Sequence, residues 1–143
     1  MNNVMQDALA VMASTNLCVL STLGPDRQPQ SAVVGFSEDE QCRLVIGTSN
    51  KSRKYRNILR DGRVSIVIGW DDRKTVQYEG VAHETHGAER EKYQALHVAK
   101  HPINAKFRDD PNEAYFLVEP VWIRHTDASV SPWIVEEIKE FEL

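Results

Sequence analysis

The sequence predicts a mainly β fold (α+β), a six-stranded antiparallel barrel with a few peripheral helices. Three observations carry this. Apolar residues alternate with a period of two in several short runs, such as Val64, Ile66 and Ile68. Those runs are separated by tight polar turns such as Gly24-Pro25-Asp26, which join neighbouring strands as hairpins. Helical spacing appears in only three places, and six strands of this length close on themselves to remove exposed edges.

Each element follows from its pattern. Val4, Met5, Ala8, Val11 and Met12 form one apolar stripe, so the chain opens with a helix that Asn16 ends. Leu17 to Thr22 and Gln30 to Phe36 form a hairpin, the second strand placing Ala32, Val34 and Phe36 on one face. Arg43 to Thr48 completes a meander. Tyr55, Ile58 and Leu59 then mark a short helix from Ser52, its N-cap, to Gly62, its stop. A fourth strand runs from Val64 to Trp70 and a fifth from Thr75 to Thr85. Gly80 inside the fifth signals a bulge or a close approach by another group. Ala88 to Lys100 is a more polar helix with Tyr93 and Leu96 inward, stopped by Pro102. Ile103 to Asn112 reads as a loop. The sixth strand, Tyr115 to His125, contains Pro120, which implies an edge or a bulge. The tail from Ser131 carries Trp133, Ile134, Ile138 and Phe141, and reads as a strand or helix that docks on a partner.

Composition narrows the function. With 143 residues, 41% apolar and 27% charged, the chain is one domain, 1-143, able to bury its own core. Its net charge of −4 provides no global field for nucleic acid or an anionic membrane. Cys18 and Cys42 read as buried reduced thiols on strands, so nothing points to secretion. No signal peptide or membrane span is expected at the start, which leaves a cytoplasmic protein as the default.

One segment concentrates charge. Lys51, Arg53, Lys54, Arg56, Arg60 and Arg63 are about a third of the 17 basic residues. Arg53 and Lys54 fall in the first turn of the short helix, where cations oppose the dipole by a few tenths of a kcal/mol, roughly. A bound anion would offset that. The preceding Gly47-Thr48-Ser49-Asn50 supplies small residues and hydroxyls, completing a phosphate cradle in which Arg53 forks two oxygens. The alternative is a solvated basic face.

Thr48-Ser49-Asn50-Lys51-Ser52-Arg53-Lys54, followed by Asn57-Ile58 and Arg63-Val64-Ser65, resembles the phosphate-binding segment of the pyridoxamine 5′-phosphate oxidase-like FMN-binding split barrels. The resemblance runs from about Leu17 to Thr85 and more loosely through the last strand. It implies a homodimer with FMN at the interface. Arg53 and Lys54 would bind the phosphate, with Ser52, Thr48 and Ser49 beside it. Val33, Val34, Gly35 and Phe36 would lie along the flavin ring, and Thr75 would make a polar contact. Trp122 and Arg124, within the run to Asp127, would reach the partner's flavin.

The chain also departs from the family. Ala32 and Ser37 stand where pyridoxamine phosphate oxidases carry an arginine and a lysine, and Lys100 and His101 replace their substrate-binding set. The resemblance therefore implies an FMN-dependent oxidoreductase of unknown small-molecule substrate rather than a pyridoxamine phosphate oxidase. Its rivals are a relative using deazaflavin F420 or haem, a non-enzymatic flavin-binding or stress protein, and a nucleotide- or RNA-binding barrel. No catalytic residue stands out, as expected where a cofactor carries the redox step. No metal site is expected. His97 and His101 share a helix face without an H-E-x-x-H motif, and the five histidines read as surface or rim residues. Trp70, Trp122 and Trp133 read as core or interface.

Overall fold

The computed structural model describes residues 3–141. Its elements run α1 (Asn3–Ala13), β1 (Leu17–Leu23), β2 (Pro29–Glu38), β3 (Leu44–Ser49), α2 (Arg53–Arg60), β4 (Arg63–Ile68), β5 (Lys74–Glu84), α3 (Gly87–Lys100), β6 (Glu113–Asp127) and β7 (Ile134–Ile138). All seven strands form one antiparallel sheet in the order β3-β2-β1-β4-β5-β6-β7, and an added β3–β6 pairing closes six of them into a barrel.

Burial follows the two-residue period. Cys18, Leu20, Phe36, Ile46, Ile66, Ile68, Val76 and Tyr78 point into the barrel, and α1 adds Ala8, Val11 and Met12 to the same core. The core strand β6 is buried on both faces from Ala114 to Val118. Phe116 and Val118 face the interior, whereas Tyr115 and Leu117 pack with Val45 and Tyr93 beneath α3.

One edge of β6 serves two partners. Its first half, Glu113 to Val118, pairs with β3, and its second half, Ile123 to Asp127, pairs with β7. The bulge falls between the halves. Gly80 pairs with Pro120 but Glu79 pairs with Trp122, so Val121 is the extra residue. Pro120 is thus at a bulge inside a central strand, not at a sheet edge. A Cβ on Gly80 would come within 2.6 Å of the Glu119 carbonyl oxygen and 2.8 Å of Val118 Cγ1.

Several expectations are corrected. Gly62 does not stop α2; Asp61 is its C-cap, in extended conformation. Gly62 is instead pressed against the Ala82 carbonyl oxygen, 2.5 Å from where a Cβ would lie. Cys42 is buried but sits in the turn before β3 at φ 63°, not on a strand. The segment after Pro102 is a 3-10 helix to Phe107 before it becomes loop. The tail strand β7 docks on the chain's own β6. Trp70 and Trp133 are exposed and Trp122 half-buried, so none of the tryptophans is in the core.

No helix among the described residues is long and apolar enough to cross a membrane. Gly80→Ala is expected to lower stability by about 1–3 kcal/mol through overpacking at the bulge. The shift in the urea midpoint at constant slope measures it.

Candidate functional site

The barrel is open along one seam. β2 pairs with β1 over Pro29 to Gly35, but with β3 only over Phe36 to Glu38. Beyond Ile46, β3 leaves β2 and pairs with β6 alone. No strand among the described residues takes the other edge of β2 from Pro29 to Gly35. Its backbone N–H and C=O groups therefore face a gap, and an extended edge of that kind binds polar ligands through the main chain.

The connection from β3 to α2 lies at this seam. Ser52 caps α2, its hydroxyl accepting from the Tyr55 N–H at 3.2 Å. The Thr48 and Ser52 hydroxyls are 3.1 Å apart, and Ser49 accepts from the Lys51 N–H. These hydroxyls build the turn that aims α2. Because one hydroxyl of the Thr48–Ser52 pair donates to the other, one O–H remains available to a ligand.

Asn57 fixes the helix to the hairpin. It is 2% exposed, and its side-chain amide donates to Thr22 Oγ1 at 3.0 Å and Gln30 Oε1 at 2.9 Å. This sets Arg53 and Lys54 over a pocket of about 140 Å³ lined with Leu20, Thr22, Gln30, Ser31 and Ala32. Among the described residues neither Arg53 nor Lys54 has a hydrogen-bond or ion-pair partner, and the first turn of α2 contains no acid. The other guanidinium groups near acids are matched, as in Arg63 with Asp61 and Arg43 with Asp39. Two cations without a partner thus stand beside hydroxyls, an amide and an open strand edge, a donor set with the charge and geometry to suit an anion.

The candidate residues on β2 divide. Val33 is exposed on the outer barrel face, Val34 is half-buried and turned inward, and Gly35 lies under the His101 ring. Phe36 is fully buried in the core, its N–H donating to the Asn16 carbonyl and its own carbonyl 2.6 Å from His101 Nε2. The strand's offer to a ligand therefore centres on Val33 to Gly35.

Thr75, Trp122 and Arg124 lie elsewhere. The outer row Val33, Val19, Val67, Gln77 and Arg124 crosses five adjacent strands. Arg124 therefore stands on β6, four strands along the sheet from β2 by way of β1, β4 and β5. It is also engaged, bonding Glu137 through Nε at 3.1 Å and Nη2 at 2.5 Å, with its guanidinium 5.3 Å from the Trp122 ring centre. Trp122 Nε1 donates to the same Glu137. None of Thr75, Trp122 and Arg124 lines the Arg53 pocket.

Composition and spacing did not disclose the polar layer under α3. His97 is 2% exposed and bonds Ser37 at 3.1 Å, and its ring centre is 4.8 Å from that of His101. His125 is buried as well, so two of the five histidines are interior rather than rim residues. Lys100 bonds the Met12 carbonyl and Glu38, with its ammonium 4.0 Å from the Phe36 ring centre. The residues at the departures from the family pattern thus anchor α3 to β2. The i, i+4 spacing of His97 and His101 was the only available signal. Cys18 and Cys42 offer no nucleophile, since burial pushes both thiols up to about 12.

The fold is therefore a six-stranded barrel closed by β3 on β6, with a cation-lined seam beside β2. The family model described as pyridoxamine 5′-phosphate oxidase matches residues 4–127, and the chain belongs to that family. No protein of curated function matches the sequence. Among solved structures, a haem-binding protein from Mycobacterium smegmatis is similar with a TM-score of 0.83 at 20% identity, over 97% of this chain and 59% of that one. ChuZ from Campylobacter jejuni has a TM-score of 0.80 at 17% identity, over 98% of this chain and 61% of that one. The chain thus spans about three fifths of the length of each. General stress protein 26 from Bacillus anthracis has a TM-score of 0.74 at 20% identity, over 97% of this chain and all (100%) of that one. At these identities the likeness is one of fold.

Two outcomes follow from the packing. Asn57→Ala removes the donor shared by Thr22 and Gln30 and is expected to cost about 1–3 kcal/mol by urea denaturation. Burial, then His101 and Lys100, hold the His97 imidazole down to about 4 from 6.5. Below pH 6.5 the unfolded chain takes up a proton that the folded one refuses, so stability falls with pH between those values. The loss is about 2 kcal/mol between pH 7 and pH 5, and His97→Gln is expected to remove this acid slope.

Proposed function

We propose that the chain binds FMN, with its phosphate on Arg53 and Lys54, and works as an FMN-dependent oxidoreductase. The observation that carries this reading is the uncompensated Arg53–Lys54 pair beside the open edge of β2. The donor set suits a phosphate dianion: a guanidinium for a two-oxygen fork, an ammonium, and the hydroxyls of Ser31 and Ser52 nearby. Val33 to Gly35 offer main-chain groups to a ring lying along β2. When bound, FMN supplies two-electron redox chemistry, and the protein supplies position and electrostatics.

The second half of the site comes from a partner chain. A pocket of about 140 Å³ is smaller than the roughly 300 Å³ at which small-molecule sites begin, so one chain encloses only the phosphate end. The outer face exposes Val33, Val67, Val81 and Val121, and carries an apolar groove of about 520 Å³ between β1, β4 and β5. A second copy on that face buries these valines, and brings its Trp122 and Arg124 toward the ring. The substrate is not pyridoxamine phosphate on this reading, because Ser37, Lys100 and His101 are committed to holding α3. A protein of this composition works in the cytoplasm.

Haem is the second reading. The fold likeness to the haem-binding protein of Mycobacterium smegmatis favours it, although the Arg53 pocket contributes no histidine. The absorption spectrum of the purified protein, followed by identification of the released chromophore, separates the two. Arg53→Ala with Lys54→Ala is expected to weaken FMN binding roughly 100-fold or more, from two lost charged contacts. Without FMN its Tm stays at the wild-type value, because neither side chain has a partner to lose. Full flavin retention in the double variant would overturn the phosphate assignment.

A further inference from the structure

A second cluster lies where α1 and β7 meet β6. Asp7 on α1, His125 on β6 and Glu136 on β7 bring one ligand atom each to within 4.8 Å of one another. His125 is only 5% exposed, so its ring is held by the core, and its Nδ1 lies 3.3 Å from Glu136 Oε2. Asp7 is exposed and closes the group from the solvent side.

Charge makes the arrangement unusual. Two carboxylates converge on one imidazole, and among the described residues no lysine or arginine forms an ion pair with either acid. Like charges at this separation repel, and a cation between them reverses the sign of the interaction. The geometry matches a small ion. Nitrogen and oxygen ligands at about 2.0–2.2 Å in a tetrahedron stand roughly 3.3–3.6 Å apart, the spacing of the His125–Glu136 hydrogen bond that an ion would replace. Asp7 reaches the same spacing by a side-chain rotation that its exposure permits.

We propose that Asp7, His125 and Glu136 bind one divalent first-row transition ion, with water in the remaining position. An imidazole with two carboxylates favours zinc over magnesium, which prefers oxygen alone. The ion would tie the N-terminal helix and the C-terminal strand to β6, and it acts independently of any flavin. Its role is to hold the fold, because each ligand comes from a different element.

The test is zinc titration of the chelator-treated full chain by calorimetry, with thermal unfolding in parallel. The wild type is expected to take up one Zn²⁺ per chain and to gain on the order of 5 °C or more in Tm at a hundredfold excess over Kd. Mg²⁺ is expected to give no shift. Asp7→Asn and Glu136→Gln keep the shape of each side chain and its capacity to accept hydrogen bonds. Each is expected to weaken Zn²⁺ binding roughly tenfold or more while the metal-free Tm stays near the wild type. Failure of the wild type to bind Zn²⁺ would overturn the proposal. So would undiminished binding in both variants, which would place the ion on the exposed His83–Glu89 pair.

Discussion

The departure of β3 from β2 after three paired residues organises the whole molecule. Every buried backbone group needs a partner, and β3 keeps β6 along one edge from Leu44 to Ser49 while β2 takes its other edge only as far as Ile46. The β6 pairing closes the barrel, and the early parting from β2 leaves that strand with an unpaired edge. An ordinary meander would have covered the edge and sealed the seam. The core is a consequence, because closure turns Leu20, Phe36, Ile46, Ile66 and Phe116 toward one another. The site is a consequence too, because the chain leaving β3 has to cross the open seam before β4 begins.

What crosses is the cap of α2. Its polar residues build the corner: Ser52 satisfies the helix terminus, and Asn57 holds the helix to Thr22 and Gln30. Rigid support of this kind lets two cations stand unpaired at a helix start, an arrangement that disfavours the free protein and favours an anion complex. On the far side of β2, His97, His101 and Lys100 brace the same strand through Ser37, the Phe36 carbonyl and Glu38. β2 is therefore fixed from one face and open along one edge, which suits a strand that presents its backbone to a ligand.

Much of this was legible in the residues. The alternation in Arg63 to Ile68, the Ser52 cap and the glycine at Gly80 each name a local structure through local physics. The basic run from Lys51 to Arg63 drew attention to the start of α2, where Arg53 and Lys54 stand without an acidic partner. The errors share one origin. Gly62 and Cys42 take their positions from neighbours distant in sequence, the Ala82 carbonyl and the Tyr78 hydroxyl that bonds the Cys42 carbonyl, and not from their own local patterns. The two interior histidines escape a local reading for the same reason, since the Ser37 partner of His97 lies 60 residues away and the Glu136 partner of His125 sits on a strand that forms only in the fold.

The sequence by itself determined the element order, the antiparallel pairing of neighbours and the family, because turn chemistry, periodicity and a short cationic motif all act within a few residues. Tertiary structure alone decided that β3 would close on β6, that Arg53 and Lys54 would remain without acidic partners, and that Trp122 and Arg124 would stay outside the pocket those two cations line. Those outcomes depend on which distant backbone edges satisfy one another and on where the remaining charges come to rest. Neither is a property of any local stretch of chain.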